Sequence, residues 1–148
     1  MDYGSTIWGQ CGKININRIN KLQKRAARII LHKPLSTPSQ ELFNDLHWMT
    51  FEERVNYMTA VLTYKAMNNL APSYLSNLLV PVSNTLAYGT RSTTNNNLVI
   101  PTHNTELFKQ SFSYSAVTIW NSIPLSLKET PSLQYFKNKA KLYLTDHN

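Results

Sequence analysis

Apolar residues in this chain recur three and four positions apart, in stretches that prolines and capping side chains cut off from one another. That punctuation points to helices, because a half-buried strand would alternate at every second residue. The longest stretch runs from about Asn15 to His32, where Ile19, Leu22, Ala26, Ile29 and Ile30 make one apolar stripe. Pro34 and Pro38 stop it. Thr37-Pro38-Ser39-Gln40 then offers a cap, a proline at the first helical position and a Gln that reaches back. A short helix with Leu42, Phe43 and Leu46 inward is expected as far as His47. Thr50-Phe51-Glu52-Glu53 is a second capping box. Its helix aligns Phe51, Val55, Met58 and Leu62, with Tyr57, Val61 and Tyr64 beside them, an apolar face broad enough for a central, well-buried helix that fades at Asn68-Asn69. Ala71-Pro72-Ser73 starts a short helix carrying Tyr74, Leu75, Leu78 and Leu79. Phe112, Ala116, Ile119 and Trp120 mark another, ended between Asn121 and Pro124. Thr130-Pro131 caps a last one, with Leu133, Phe136, Ala140 and Leu144 inward and Lys137, Lys139 and Lys141 outward.

Two stretches lack this period. Asp2 to Gly12 is rich in Gly, Ser and Thr and reads as irregular or helix-ending. From Pro81 to Thr105 the composition turns to Asn, Thr, Ser and Gly, a long polar loop with at most a short extended piece at Leu98-Val99-Ile100. The expected architecture is therefore all-α. The 148 residues make one domain, spanning residues 1–148, an irregular bundle of about six helices with one long loop.

Several functional classes find no support. Cys11 is the only cysteine, which excludes an internal disulfide framework and a multi-cysteine zinc site. The four glycines, Gly4, Gly9, Gly12 and Gly89, cannot assemble a phosphate-cradling loop. Two-metal nucleotidyl transfer needs clustered carboxylates. Here there are three Asp and five Glu, and Glu53 already has a role as a capping partner. His32, His47, His103 and His147 show no metal-ligand spacing, and no serine lies in a G-x-S-x-G elbow. No catalytic residue, metal, cofactor or small-molecule substrate is expected, and so the chain is not expected to be an enzyme. No run of about 18 apolar residues spans a membrane. Met1-Asp2-Tyr3-Gly4 lacks the pattern of a secretory signal. An intracellular setting, nucleus or cytoplasm, is expected, without membrane contact.

Charge carries the strongest functional signal. Lys plus Arg is 15 against 8 Asp plus Glu, a formal +7, and no acidic residue occurs between Tyr3 and Gln40. Seven of the 15 cations lie on the first long helix and its ends. Arg18, Lys21, Arg25 and Arg28 recur at helical spacing, and Lys13, Lys24 and Lys33 add to them. Such a field suits an RNA or DNA phosphate backbone, with affinity that falls steeply with salt. An acidic partner protein, a lipid surface or a merely solvated helix face are the other readings. Tyr3, Trp8, Trp48, Tyr88 and Trp120 are the rings available to stack on bases, although Trp48 and Trp120 sit beside apolar stripes and are expected in the core. Arg91, in Thr90-Arg91-Ser92, could clamp a phosphate, pair with a carboxylate or face water. The candidate nucleic-acid contacts are therefore Arg18, Lys21, Lys24, Arg25, Arg28 and Arg91.

An ordered set of motifs resembles a known family. Tyr3-Gly4-Ser5-Thr6-Ile7-Trp8 is similar to the Y-G-s-x-x-W that closes a polymerase region. Leu22-Gln23-Lys24-Arg25-Ala26-Ala27-Arg28 lies in a stretch similar to an L-x-x-x-Q-x-R-A-x-R helix. Leu46-His47-Trp48 with Arg54, Tyr64-Lys65, Ala71-Pro72-Ser73-Tyr74-Leu75 and Thr90-Arg91-Ser92 follow in order. Phe112, Trp120-Asn121-Ser122-Ile123-Pro124 and Ser132 to Phe136-Lys137 complete the set. Together they resemble the C-terminal, post-polymerase region of reverse transcriptases of non-LTR retrotransposons, of the jockey and chicken-repeat type. The polymerase Y-x-D-D, the endonuclease and a Cys/His zinc knuckle are all absent. The resemblance implies a C-terminal remnant of an RNA-directed DNA polymerase, with Met1 an internal start in a once longer frame. It implies template or target binding, or scaffolding, with the remainder of a reverse transcriptase as a further partner. A structural or protein-interaction module, and a decayed fragment without present function, are the alternatives.

Overall fold

The computed structural model describes residues 4–85 and 90–146. Tyr3 and Tyr88, two of the rings considered for stacking, lie outside the described residues, as do Met1, Gly89 and His147. The fold is all-α, as expected. The helices are α1 (Ser5–Trp8), α2 (Lys13–Leu31), α3 (Ser39–Asp45), α4 (Phe51–Met67), α5 (Ser73–Ser76), α6 (Arg91–Thr94), α7 (Phe112–Ser122), α8 (Leu125–Lys128) and α9 (Leu133–Asp146). Six of these answer to the expected helices, and α1, α6 and α8 are additional single turns. Among the described residues no strand forms, and the Pro81–Leu98 pairing is an isolated antiparallel bridge.

Helix α4 is the axis of the molecule. It packs against α7 and α9 on one side and against α1, α2 and α5 elsewhere. Its start is the reciprocal cap that the sequence announced. The Glu53 amide donates to Thr50 Oγ1 at 3.3 Å and the Thr50 amide donates to Glu53 Oε2 at 3.0 Å. The main core joins Ala60, Val61 and Tyr64 of α4 to Ala116, Val117 and Trp120 of α7 and Phe136 and Ala140 of α9. Tyr64 stacks on Phe136 with centroids 4.4 Å apart, and its hydroxyl donates to the Thr130 carbonyl at 2.7 Å. A smaller core, Ala27 with Leu42 and Phe43, joins α2 to α3.

At Gly9 the backbone leaving α1 runs against α4. A Cβ built there would lie 2.2 Å from the Ser5 carbonyl oxygen and 2.5 Å from Val55 Cγ2, so only glycine fits.

Several boundaries differ from the sequence reading. Helix α2 begins at Lys13, and His32 ends it in the left-handed region at φ 50°, with the Lys33 amide donating back to the Arg28 carbonyl at 3.1 Å. Thr37 does not cap α3, which starts after Pro38 without a side-chain cap and stops at Asp45, short of His47. The cap of α9 is Ser132, whose hydroxyl accepts from the Tyr135 amide at 3.2 Å, while Thr130 is buried and lends its carbonyl to Tyr64.

The Pro81–Thr105 segment is long and polar, and its described residues around Leu98 are tied down. Leu98 is 1% exposed in the main core, and its N–H donates to Asn121 Oδ1 at 2.8 Å while its carbonyl accepts from Asn121 Nδ2 at 2.9 Å. Asn121 therefore crosses to another segment instead of capping its own helix. Trp120 Nε1 donates to the Asn96 carbonyl at 3.0 Å. Lys128 Nζ donates to the Asn95 carbonyl at 3.0 Å and to Asn97 Oδ1 at 2.8 Å.

Candidate nucleic-acid interface

The basic residues of α2 form a coherent surface. At about 100° per residue, Lys24, Arg28, Lys21, Arg25 and Arg18 fan out over roughly a third of the helix circumference. Arg18, Lys21 and Arg25 are exposed, and Lys24 is half-buried. Among the described residues none of these four forms an ion pair. Lys33, at the end of the stripe, is neutralised by Glu41 at 3.3 Å and Asp45 at 3.9 Å.

Arg28 differs from its neighbours. It is half-buried, its Nη2 donates to the Thr37 carbonyl at 3.3 Å, and its Nε is buried without a hydrogen-bond partner. Its guanidinium braces the α2–α3 connection, so it contributes positive potential while one face of its fork is committed to the fold. Arg91 is exposed at the start of α6, whose cap is reciprocal between Thr90 and Thr93. It sits on an element whose main packing is against the Val82–Asn84 turn. The structure thus brings five of the six candidate residues together and leaves Arg91 apart.

The apolar stripe of α2 does not lie where the sequence placed it. Leu22 is 61% exposed, Ile29 64% and Ile30 53%. The inward line is Ile16, Asn20, Gln23, Ala27 and Leu31, of which only Ala27 is fully buried. A small side chain, Ala27, is the one pressed against Leu42 and Phe43, and Gln23 Nε2 donates to the Met49 carbonyl at 2.7 Å. Close approach through Ala27 turns the larger side chains outward.

Their exposed surface continues into a groove of about 490 Å³ between α2 and α4, lined by Leu22, Ala26, Trp48, Met49, Phe51 and Val55. His47, Arg54 and Lys141 stand at the same groove, and among the described residues none of its lining is acidic. Trp48 is 37% exposed, not a core residue, and is open to a stacking partner. Trp120 is buried as expected. Trp8 stacks on Phe51 with centroids 5.5 Å apart.

The sequence held no hint of the groove. Lys141 comes from the far end of the chain, and no local period links it to Leu22 or Trp48. It also gave no hint of the environment of Lys128, which is 7% exposed, lies 5.8 Å over the Trp120 ring and lines a polar cavity of about 260 Å³. Burial pulls the ammonium pKa down to about 8. Among the described residues no three His, Cys, Asp or Glu side chains come together as a metal site, and no helix is long and apolar enough to cross a membrane.

No family model matches the chain, and no solved structure matches it. Over 58 residues, 39% of its length, it is 41% identical to a probable RNA-directed DNA polymerase from transposon BS of Drosophila melanogaster. The matched segment spans 6% of that protein. Part of this chain is therefore related to part of a transposon RNA-directed DNA polymerase.

Proposed function

We propose that this chain is a non-catalytic, nucleic-acid-binding segment of the post-polymerase region of a non-LTR retrotransposon reverse transcriptase, and that α2 holds the phosphate backbone. The observation that carries this reading is the acid-free stripe of the exposed Arg18, Lys21 and Arg25 with the half-buried Lys24. These four lie within eight residues, about 12 Å along the helix axis, which matches a few consecutive phosphates. They hold no base-reading geometry, so contact is through charge and independent of sequence.

Fluorescence anisotropy with labelled single-stranded RNA, titrated over a range of salt, tests the reading. Four phosphate contacts give a slope of log K against log salt of about −3 for a single strand. Lys21→Glu with Arg25→Glu removes two of the four, and the slope should shrink toward about −1.4. The pair is chosen over any change at Arg28 because Arg28 also braces the fold. Unchanged affinity and slope in the double variant would remove α2 from the binding surface.

A further inference from the structure

On its solvent side α2 carries, beside the basic stripe, a second feature that phosphate binding does not use. Ile19, Leu22, Ala26 and Ile29 are spaced three, four and three apart, the period of a seam that packs against another helix. Leu22, Ala26 and Ile29 are exposed, so the seam is unpartnered among the described residues. Arg18 and Arg25, seven positions apart, flank it on one side. Leu22 and Ala26 also form one wall of the 490 Å³ groove, whose lining among the described residues includes Lys141 and no carboxylate.

We propose that this seam and groove bind an amphipathic helix of about three turns, supplied by a partner protein, whose apolar face is flanked by Asp and Glu. Charge complementarity sets the occupant. Among the described residues the ionisable side chains lining the groove, His47, Arg54 and Lys141, are basic, and Arg18 and Arg25 flank the seam, so the matching surface is apolar at its centre and acidic at its rim. A second copy of the chain would bring +7 against +7 and set cations beside cations. A flat lipid surface would leave the concave groove unfilled. Nucleic acid gains nothing from Ile29 and Ile30, which offer no hydrogen-bond donor. The apolar seam faces away from the outer stripe of Lys21 and Lys24, while Arg18 and Arg25 border both surfaces.

The probe is a fluorescein-labelled peptide of about 15 residues with Leu at three-four-three spacing and Glu on both flanks. A scramble of identical composition, and a version with Lys in place of Glu, are the controls. With the full chain at physiological salt, the acidic helix should bind at least about tenfold tighter than either control. Leu22→Ser with Ile29→Ser should abolish that difference and leave RNA affinity and its salt slope unchanged; both positions are exposed, so folding is not at stake. Equal binding of peptide and scramble overturns the proposal. So does a dimer in sedimentation that the same substitutions dissolve, which would assign the seam to a second copy. Seam-dependent binding to vesicles of three parts phosphatidylcholine to one part phosphatidylserine, without peptide selectivity, would assign it to lipid and overturn it equally.

Discussion

Asn121→Ala is the most informative single change to the fold. The Asn121 amide satisfies both backbone groups of Leu98, with contacts of 2.8 and 2.9 Å, at a residue 23 positions away that is 1% exposed. Truncation leaves a buried N–H and a buried carbonyl without partners. Each costs about 1–3 kcal/mol. Water reaching the site from the neighbouring polar cavity would offset part of this, so a total of about 3 kcal/mol is expected, lowering Tm by about 9 °C in a chain of this size. Urea denaturation followed by circular dichroism measures the first quantity and a thermal scan the second. Asn121→Asp keeps the acceptor but sets a carboxylate oxygen against the Leu98 carbonyl, and should cost at least as much. The loss should also be local. Leu98 and the Asn95–Asn97 carbonyls hold the segment that begins at α6, so tryptic cleavage after the exposed Arg91, followed by mass spectrometry, should accelerate in Asn121→Ala. A Tm within a degree or two of the parent, with unchanged cleavage at Arg91, would refute the claim that this side chain pins the segment.

Three further outcomes are expected. Lys128 has its pKa pulled down by burial to about 8 from the usual 10.5, so between these values the unfolded chain binds more protons than the folded one, and stability should rise with pH across that window by at most about 3 kcal/mol. In Lys128→Met this component should be missing, and parallel pH–stability curves for parent and variant would exclude it. Gly9→Ala forces a methyl group into Val55 and the Ser5 carbonyl and should destabilise by about 1–3 kcal/mol in urea titrations, against a few tenths for Gly12→Ala, where the built Cβ meets nothing within 4 Å. Thr50→Ala removes one arm of the reciprocal cap of α4 and should cost about 1 kcal/mol by the same measurement.

Local periods made most of the fold legible. The helix start at Thr50, the inward positions Phe136 and Ala140, and the buried Trp120 follow from spacing and capping chemistry, which act within a few residues. Thr130 is not the cap of α9 because Ser132, two positions on, takes that role, whereas α3 starts after Pro38 with no side-chain cap at all. The larger misreading was the face of α2. Hydrophobicity assigns the inward side to the bulkiest apolar residues, but packing against α3 selected the small Ala27 and exposed Leu22 and Ile29. The basic stripe was legible because charge period needs no partner to be seen. The groove was not, because it draws α2, α4 and α9 together across more than a hundred residues. The tethering of the polar segment was hidden for the same reason, since Asn121 and Lys128 reach it from 23 to 33 residues away.

The division of the interior into a large core around α4 and a three-residue core beneath α2 has a dynamic consequence. The α2–α3 hairpin rests on little buried surface, so it is the natural unit of sub-global opening, and its amide hydrogens should exchange well before those of α4, α7 and α9. The surface proposed to meet other molecules would then be the least protected part of the chain. Occupancy of α2 by nucleic acid or helix would close that opening selectively, and the gain in exchange protection would be confined to one hairpin, leaving the rest of the molecule to report only global unfolding.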